Sequence, residues 1–150
     1  MLWIIWEIVS NPIASAWVVT AILGVPELRD DVTAICHRES RCQALRVHER
    51  DAWVSRKEWL GQVKLGHLDA DCQPYGEGGW ATRGAWGLSA ASHWNYLPRC
   101  YPPVVIDVPL VSAWIAVIKY KHHCLAKGTR PGWCRVPRVV KKNNRARFRS

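Results

Sequence analysis

The chain has 150 residues, which is enough for one domain and leaves little room for a second hydrophobic core. Its composition, 49% apolar and 22% charged, is ordinary for a soluble globular protein and excludes a disordered chain, a collagen-like chain and a polytopic membrane protein. The formal net charge of +9 at pH 7 points to an anionic partner or surface.

Residues 1–23 are almost entirely apolar and carry a single charge, on Glu7. A signal peptide or a membrane anchor would need an uninterrupted apolar run, and Asn11 and Pro12 interrupt this one. We therefore predict two helical pieces that are split near Asn11 and Pro12, the second of them buried over residues 13–23. Membrane contact through residues 1–23 stays open, because placing one carboxyl in lipid costs only about 3 kcal/mol.

The next helix is predicted over about residues 27–40, because Pro26 is well placed to open it. A capping-box pattern that begins at Ser55 predicts a further helix, which Gly66 ends. Residues 67–83 are rich in Gly, Pro and Asp, so we predict a loop that holds a short hairpin at most.

The C-terminal half of the domain is predicted to hold a short helix over residues 88–97 and a longer one that Asp107 caps and that ends near Cys124. The apolar face of the longer helix follows three-and-four spacing and consists of Leu110, Val111, Trp114, Val117 and Ile118. Strand signals are sparse, so the predicted fold class is mainly α with a small sheet.

The six cysteines are even in number and include no Cys-x-x-Cys pair, which favours disulfides in an oxidising compartment over a zinc site. Cys124 and Cys134 are expected to pair, because their disulfide closes a short loop after a helix; the other pairings stay open. The cluster of His122, His123 and Cys124 matches no standard zinc spacing. We expect no metal and no cofactor.

Residues 135–150 form a basic C-terminal tail, with seven Lys or Arg residues and no carboxylate. The rest of the chain is therefore close to neutral. The partner of such a tail is nucleic acid, an anionic membrane or an anionic cell-wall polymer, and the alternative is a solubilising tail without a specific partner.

The helix predicted over residues 27–40 carries a candidate acid at its C-terminal end. Glu39 lies four residues after Ile35 and seven after Val32, which places it on the same apolar stripe. A carboxyl that is partly dry and close to the negative pole of a helix is favoured in its protonated form, as a general acid requires. The alternative is a Glu39 that turns outward and pairs with Arg38 or Arg41.

Three motifs follow in order along the chain: Val-Pro-Glu-Leu at residues 25–28, Ile-Cys-His-Arg-Glu-Ser at residues 35–40, and Arg-Gly-Ala-Trp-Gly-Leu-Ser at residues 83–89. From about Ile13 to Cys124 the chain resembles the lysozyme-like superfamily, in its soluble lytic transglycosylase and goose-type lysozyme branch. In that group a helix ends in Glu-Ser, and a later Gly-Ala-x-Gly-Leu turn packs beside it. The resemblance implies an α+β lysozyme-like domain over residues 1–134, with a small hairpin or loop region and a substrate groove.

The glycine-rich motif fits this resemblance physically. Gly84 and Gly87 allow a tight turn, or an approach of the backbone to a ligand that a side chain would block. Leu88 is expected to anchor the turn in the core, and Trp86 is expected to face solvent or a sugar.

The resemblance implies that Glu39 is the single acid/base that cleaves the glycosidic bond between N-acetylmuramic acid and N-acetylglucosamine in peptidoglycan. In lytic transglycosylases this Glu protonates the glycosidic oxygen and then helps the muramoyl 6-hydroxyl to close a 1,6-anhydro ring. A second carboxylate stays open, with Asp51 as the candidate; if it lies opposite Glu39 with room for water, hydrolysis results. The implied substrate-binding residues are Ser40, Gly84, Ala85, Trp86, Ser89, Tyr96 and Tyr120.

By analogy, the small size, the cysteines and the basic tail suggest a phage-encoded or virion-associated lysin, located in a virion or in the cell envelope. The expected partners are peptidoglycan glycan strands, an anionic polymer or nucleic acid that binds residues 135–150, and virion proteins. The alternative is a catalytically silent protein of the same fold, with a structural or binding role in a virion or envelope assembly.

Overall fold

The computed structural model describes residues 1–71, 80–89, 103–126 and 132–136. Over these residues the protein is mainly helical with one small antiparallel sheet, which confirms the predicted fold class. The strands are β1 (Val47–His48) and β2 (Thr82–Arg83), with Val47 opposite Arg83. The α-helices are α1 (Leu2–Ser10), α2 (Pro12–Ile22), α3 (Arg29–Ser40), α4 (Ala52–Lys64) and α5 (Pro109–Lys119).

The first two helices meet at Asn11 and are bent by 98° relative to each other. The Asn11 Oδ1 accepts hydrogen bonds from the backbone N–H groups of Ile13 (2.9 Å) and Ala14 (3.2 Å), and Pro12 stands in the first turn of α2. This confirms the split predicted at Asn11 and Pro12. Within the described ranges, no helix is by itself both long and apolar enough to cross a membrane, whereas α1 and α2 taken together satisfy that criterion by length and composition.

The main core lies between α2, α3, α5 and residues 84–88. Ala16 on α2 and Ala113 and Ala116 on α5 are fully buried, and such small residues let two packed helices approach closely. The larger side chains that are fully buried with them are Val19, Val32, Ile35, Trp86, Leu88, Ile106, Ile115 and Val117. A smaller cluster joins Trp59 of α4 to Leu68 and Trp80.

The third helix agrees with its prediction. A 3₁₀ turn (Pro26–Leu28) leads directly into α3, and Val32 and Ile35 are fully buried on its inner stripe. Arg41 ends the helix in the left-handed conformation, with φ of 57°, and its N–H bonds the carbonyl of His37. Glu39 and Ser40 therefore occupy the last turn of a helix whose inner side is fixed in the core.

Asp107 does not cap α5, so that prediction was wrong. A 3₁₀ helix (Pro103–Asp107) ends at this residue, and the N-cap of α5 is Val108. The Asp107 carboxylate instead accepts hydrogen bonds from the Arg83 guanidinium, at 2.8 Å from Nε and 2.6 Å from Nη2. This contact raises the pKa of Arg83 and ties β2 to the start of α5.

The buried side of α5 also differs from the predicted face. Trp114 is exposed, while the described burial falls on Ser112, Ala113, Ile115, Ala116 and Val117. The helix contacts both α1 and α2, so it buries a wider arc than one apolar stripe. A π-helical segment (Tyr120–Leu125) continues α5, and the helical region ends near Cys124 as predicted.

Two further predictions about element starts were wrong. Ser55 does not begin a helix, because α4 starts at Ala52 after a 3₁₀ turn (Glu49–Asp51), and Ser55 is buried inside α4. Leu88 forms a β-bridge with Arg83, so no helix begins there; residues 90–97 lie outside the described residues.

Two disulfides join the four described cysteines. Cys124 pairs with Cys134, as predicted, and Cys36 pairs with Cys42 across the end of α3. Cys72 and Cys100 lie outside the described residues. These disulfides fit an extracytoplasmic location, where such bonds form and persist.

Candidate functional site

The glycine-rich motif forms a tight turn that follows β2. Arg83 and Leu88 exchange two backbone hydrogen bonds of 2.9 Å each and so close residues 84–87 into a loop, and the N–H of Gly84 bonds the carbonyl of Arg46 beside β1 (2.9 Å). Gly84 has φ of 82°, and a Cβ at this position would lie 2.7 Å from the carbonyl oxygen of Ile106. Only glycine fits here, because any side chain would collide with backbone.

The carboxyl group of Glu39 lies directly against this turn. Gly87 has φ of 59°, and a Cβ on Gly87 would lie 3.0 Å from Glu39 Oε2. The structure thus brings together the two motifs that the sequence separates by more than forty residues. The contact agrees with the packing that the resemblance implies for a Glu-Ser helix end and a Gly-Ala-x-Gly-Leu turn.

Ser40 fastens the end of α3 to the same turn. Its hydroxyl donates a hydrogen bond of 2.6 Å to the carbonyl of Ala85 and accepts one of 3.1 Å from the N–H of Gln43. Both Ser40 and Ala85 are buried. The resemblance implies substrate contacts for these two residues, whereas in the structure both are buried and act as positioning residues that hold Glu39 beside the turn.

Arg38 holds the other oxygen of the Glu39 carboxylate. Its Nη2 lies 2.7 Å and its Nε lies 3.1 Å from Glu39 Oε1. The same guanidinium donates to the carbonyl of Trp133 (2.8 Å) and to that of Arg135. The pairing with Arg38 named in the alternative interpretation therefore exists, but Glu39 stays half-buried, with 27% of its side chain exposed.

Lys119 and Trp133 also belong to this site, and the sequence analysis missed both. The Lys119 Nζ lies 4.2 Å from the centre of the Trp133 ring, a cation–π contact. Burial lowers the pKa of Lys119 to about 8, and the carboxylates of Glu39 and Glu58 oppose that shift. Lys119 lies four residues after Ile115 on the inner stripe of α5, and this spacing was the signal that could have revealed it.

Trp86 is not a sugar-binding surface, so its predicted orientation was wrong. The ring is fully buried, and its Nε1 donates to the carbonyl of Val32 on α3 (2.8 Å). The carbonyl of Trp86 accepts a hydrogen bond from the Nε1 of Trp133 (2.8 Å). Trp86 therefore connects the turn to α3 and to Trp133. Leu88, also fully buried, anchors the turn as predicted.

The remaining predicted site residues lie apart from Glu39 or outside the described ranges. Tyr120 is buried, and its hydroxyl donates to Asp31 Oδ2 (2.8 Å). Asp31 stands eight residues before Glu39 on α3, a rise of about 12 Å along the helix at 1.5 Å per residue. Ser89 is buried after the turn. Tyr96 lies outside the described residues, as does residue range 137–150 of the basic tail.

Asp51 lines an open cavity of about 610 Å³ beside β1. The described residues around it are Arg46, Val47, His48, Glu49, Arg50 and Asp51. The cavity adjoins the glycine turn, since Gly84 bonds the backbone of Arg46.

The site places the Glu39 carboxylate in an ion pair with Arg38, beside a turn that carries little side-chain bulk. Lys119 interacts electrostatically with Glu39 and also with Glu58. Among the residues that the structure describes, no group of three His, Cys, Asp or Glu side chains is arranged to hold a metal ion. Comparisons with protein-family models, with curated proteins and with solved structures find no match for this chain.

Proposed function

We propose that the protein cleaves the glycosidic bond between N-acetylmuramic acid and N-acetylglucosamine in peptidoglycan, with Glu39 as the acid/base. The observation that carries the proposal is the position of the Glu39 carboxyl, with Oε2 against the Gly87 backbone and Oε1 held by Arg38. A carboxyl that Arg38 holds beside the turn is oriented before a substrate arrives, which lowers the entropic part of the reaction barrier. The order of motifs, Glu-Ser and then Gly-Ala-Trp-Gly-Leu, supports the same assignment.

The first chemical step is a proton transfer from the Glu39 carboxyl to the glycosidic oxygen. The bond between that oxygen and the muramoyl C1 then breaks, and the glucosaminyl unit leaves as an alcohol. Positive charge develops at C1, while negative charge returns to Glu39. The guanidinium of Arg38 donates to the resulting carboxylate, at 2.7 Å from Nη2, and Lys119 attracts it electrostatically.

The second step regenerates the acid. In the transglycosylase route, Glu39 takes the proton of the muramoyl 6-hydroxyl. The oxygen of that hydroxyl bonds to C1, which gives a 1,6-anhydro ring. In the hydrolytic route, a water molecule attacks C1 and loses its proton to a carboxylate. The proposal takes the first route, because the Glu39 carboxylate alone can serve both of its steps.

The wider setting proposed for this activity is a virion-associated or envelope lysin. Disulfides favour a site of action outside the cytoplasm. Residues 135–150, with seven basic residues and no acidic one, would hold the protein near anionic wall polymers or near packaged nucleic acid. The substrate on this account is the glycan strand, and virion proteins are the candidate neighbours.

The test is clearing of purified peptidoglycan by the full chain and by two variants. Glu39→Gln keeps the shape of the side chain and removes its proton-transfer chemistry, so we expect clearing to fall by at least about 100-fold. Glu27→Gln is the matched control, because Glu27 is an exposed glutamate in the turn before α3. We expect the control to clear the substrate at the wild-type rate.

Two results would overturn the proposal. If Glu39→Gln clears peptidoglycan as fast as the wild-type chain, Glu39 is not the acid. If the folded wild-type chain clears nothing while a known muramidase does so in the same assay, the catalytically silent structural protein is the better description.

A further inference from the structure

The first helix presents a large apolar surface that the rest of the protein leaves uncovered. None of the nine residues of α1 is buried. The exposed fractions are 83% for Leu2, 71% for Trp3 and 67% for Trp6, and Ile4 and Ile5 are more than half exposed. A contiguous apolar surface of this kind on a soluble domain marks an interaction site.

The attachment of α1 keeps this surface clear of the core. α2 is held in the domain by its buried residues Ala16, Val19 and Thr20, and it packs along α5. The Asn11 cap and the hydrogen bond from the Ser15 hydroxyl to the Ile8 carbonyl fix the bend between the two helices. With a bend of 98°, α1 cannot extend α2 into one straight rod through a bilayer unless α2 leaves the core.

The chemistry of the exposed surface fits the interface of a lipid bilayer. Trp3 and Trp6 are three residues apart and so lie on neighbouring positions of one helix face, and tryptophan concentrates at the level of lipid head groups. Trp17 of α2, six residues after Asn11, is 54% exposed, and the guanidinium of Arg29 lies 3.6 Å from its ring centre and 3.5 Å from Asp30 Oδ1. This places a cation beside an exposed indole, which suits an anionic head group.

The exposure of α1 favours a bilayer over a protein partner. Apolar residues point outward around much of α1, and hydrocarbon can surround a helix on every side that the domain leaves open, whereas a protein groove covers one side. The net charge of +9, most of it in the sequence of residues 135–150, adds long-range attraction to anionic lipids.

We propose that α1 docks in the plane of a bilayer that contains anionic lipids, with Trp3 and Trp6 inserted at the head-group level and α2 retained in the domain core. The helix lies along the surface and does not span it. This inference is independent of the proposed activity, because it concerns where the protein is held and not what Glu39 does.

The test is sedimentation of the full chain with vesicles of phosphatidylglycerol and phosphatidylcholine. We expect the wild-type chain to sediment with them, and Trp3→Ser combined with Trp6→Ser to lower the partition coefficient by at least about tenfold. Trp53→Ser is the matched control, because Trp53 is a similarly exposed indole, 61% exposed, on α4. The control should bind as the wild-type chain does.

The competing occupant is a second copy of the chain, which sedimentation velocity without lipid detects. A wild-type chain that dimerises through α1 and ignores the vesicles would overturn the proposal. So would equal vesicle binding by the wild-type chain and the double variant, since the basic residues alone would then account for it. Clearing of peptidoglycan by the double variant at the wild-type rate is expected, and this separates the failure of the two proposals.

Discussion

Gly87 determines how closely the backbone approaches the Glu39 carboxyl. We expect Gly87→Ala to reduce peptidoglycan clearing by at least about tenfold, because the added Cβ would lie 3.0 Å from Glu39 Oε2 and displace it. The loss of folding stability should be about 1–2 kcal/mol, since alanine is strained at positive φ. Clearing rates and urea denaturation measure the two effects.

Gly24→Ala separates backbone strain from displacement of the carboxyl. Gly24 has φ of 68°, and a Cβ there would meet nothing within 4 Å. This control should lose a similar amount of stability and keep its activity. Equal activity in the two variants would show that the contact between Gly87 and Glu39 has no part in the reaction.

Lys119 should make folding stability depend on pH in a defined window. Its pKa is about 8 in the folded protein, lowered by burial from the ordinary 10.5, while the nearby carboxylates of Glu39 and Glu58 act in the opposite direction. Between these pH values the unfolded chain binds more protons than the folded one, so stability rises with pH. We expect the wild-type chain to gain roughly 1–3 kcal/mol relative to Lys119→Met between pH 8 and 10.5.

Urea denaturation across this pH range measures that gain, and Lys121→Met provides the control because Lys121 is exposed. A stability difference between wild type and Lys119→Met that is constant from pH 7 to 11 would contradict the buried position of the Lys119 ammonium.

At the scale of residues, the sequence predicted the half-buried position of Glu39 but not the residues that surround it. Helical spacing alone puts Glu39 on the stripe of Val32 and Ile35, so its half-buried position was predictable. The burial of Trp86 was not predictable, because an indole inside a glycine turn can be either an exposed platform for a ligand or a core residue. Its burial depends on the carbonyl of Val32, a partner fifty-four residues away.

At the scale of elements, the segment 132–136 connects the Cys124–Cys134 disulfide to the site. Its carbonyl groups at Trp133 and Arg135 accept hydrogen bonds from Arg38, which in turn holds Glu39. Replacing Cys124 and Cys134 with alanine should lower stability by about 2–3 kcal/mol, the entropy of a loop of this length.

The same double variant should also clear peptidoglycan more slowly, by about tenfold, at a temperature where it stays folded. Thermal unfolding and clearing rates measure the two effects separately. Full activity in a folded variant without this disulfide would indicate that Arg38 orients Glu39 without help from residues 132–136.

The ends of elements were harder to predict than their existence. Ser55 and Asp107 both match the chemistry of a helix N-cap, yet α4 starts before Ser55, and Asp107 pairs with Arg83. A capping pattern describes what a side chain can do locally. A partly buried ion pair with a residue twenty-four positions away outweighs it, and nothing within one segment of sequence contains that information.

At the scale of the whole molecule, periodicity and breakers were sufficient for the mainly helical class and for the break at Asn11 and Pro12. The juxtaposition of α3 with the glycine turn was predictable only from the resemblance to lysozyme-like enzymes, because no local pattern links residues so far apart. The exposed α1 then distinguishes two regions: a core around α2, α3 and α5 that carries the candidate site, and an apolar surface beyond the bend.

The most direct measurement of the central claim is mass analysis of the fragments released from purified peptidoglycan by the wild-type chain and by Glu39→Gln. The account predicts disaccharide-peptides from the wild-type chain, cut at the muramoyl C1 and ending in a 1,6-anhydro ring, and no such fragments from Glu39→Gln. Release of peptides from uncut glycan strands, or the same saccharide fragments from both proteins, would contradict the assignment of Glu39 as the acid that breaks the glycosidic bond.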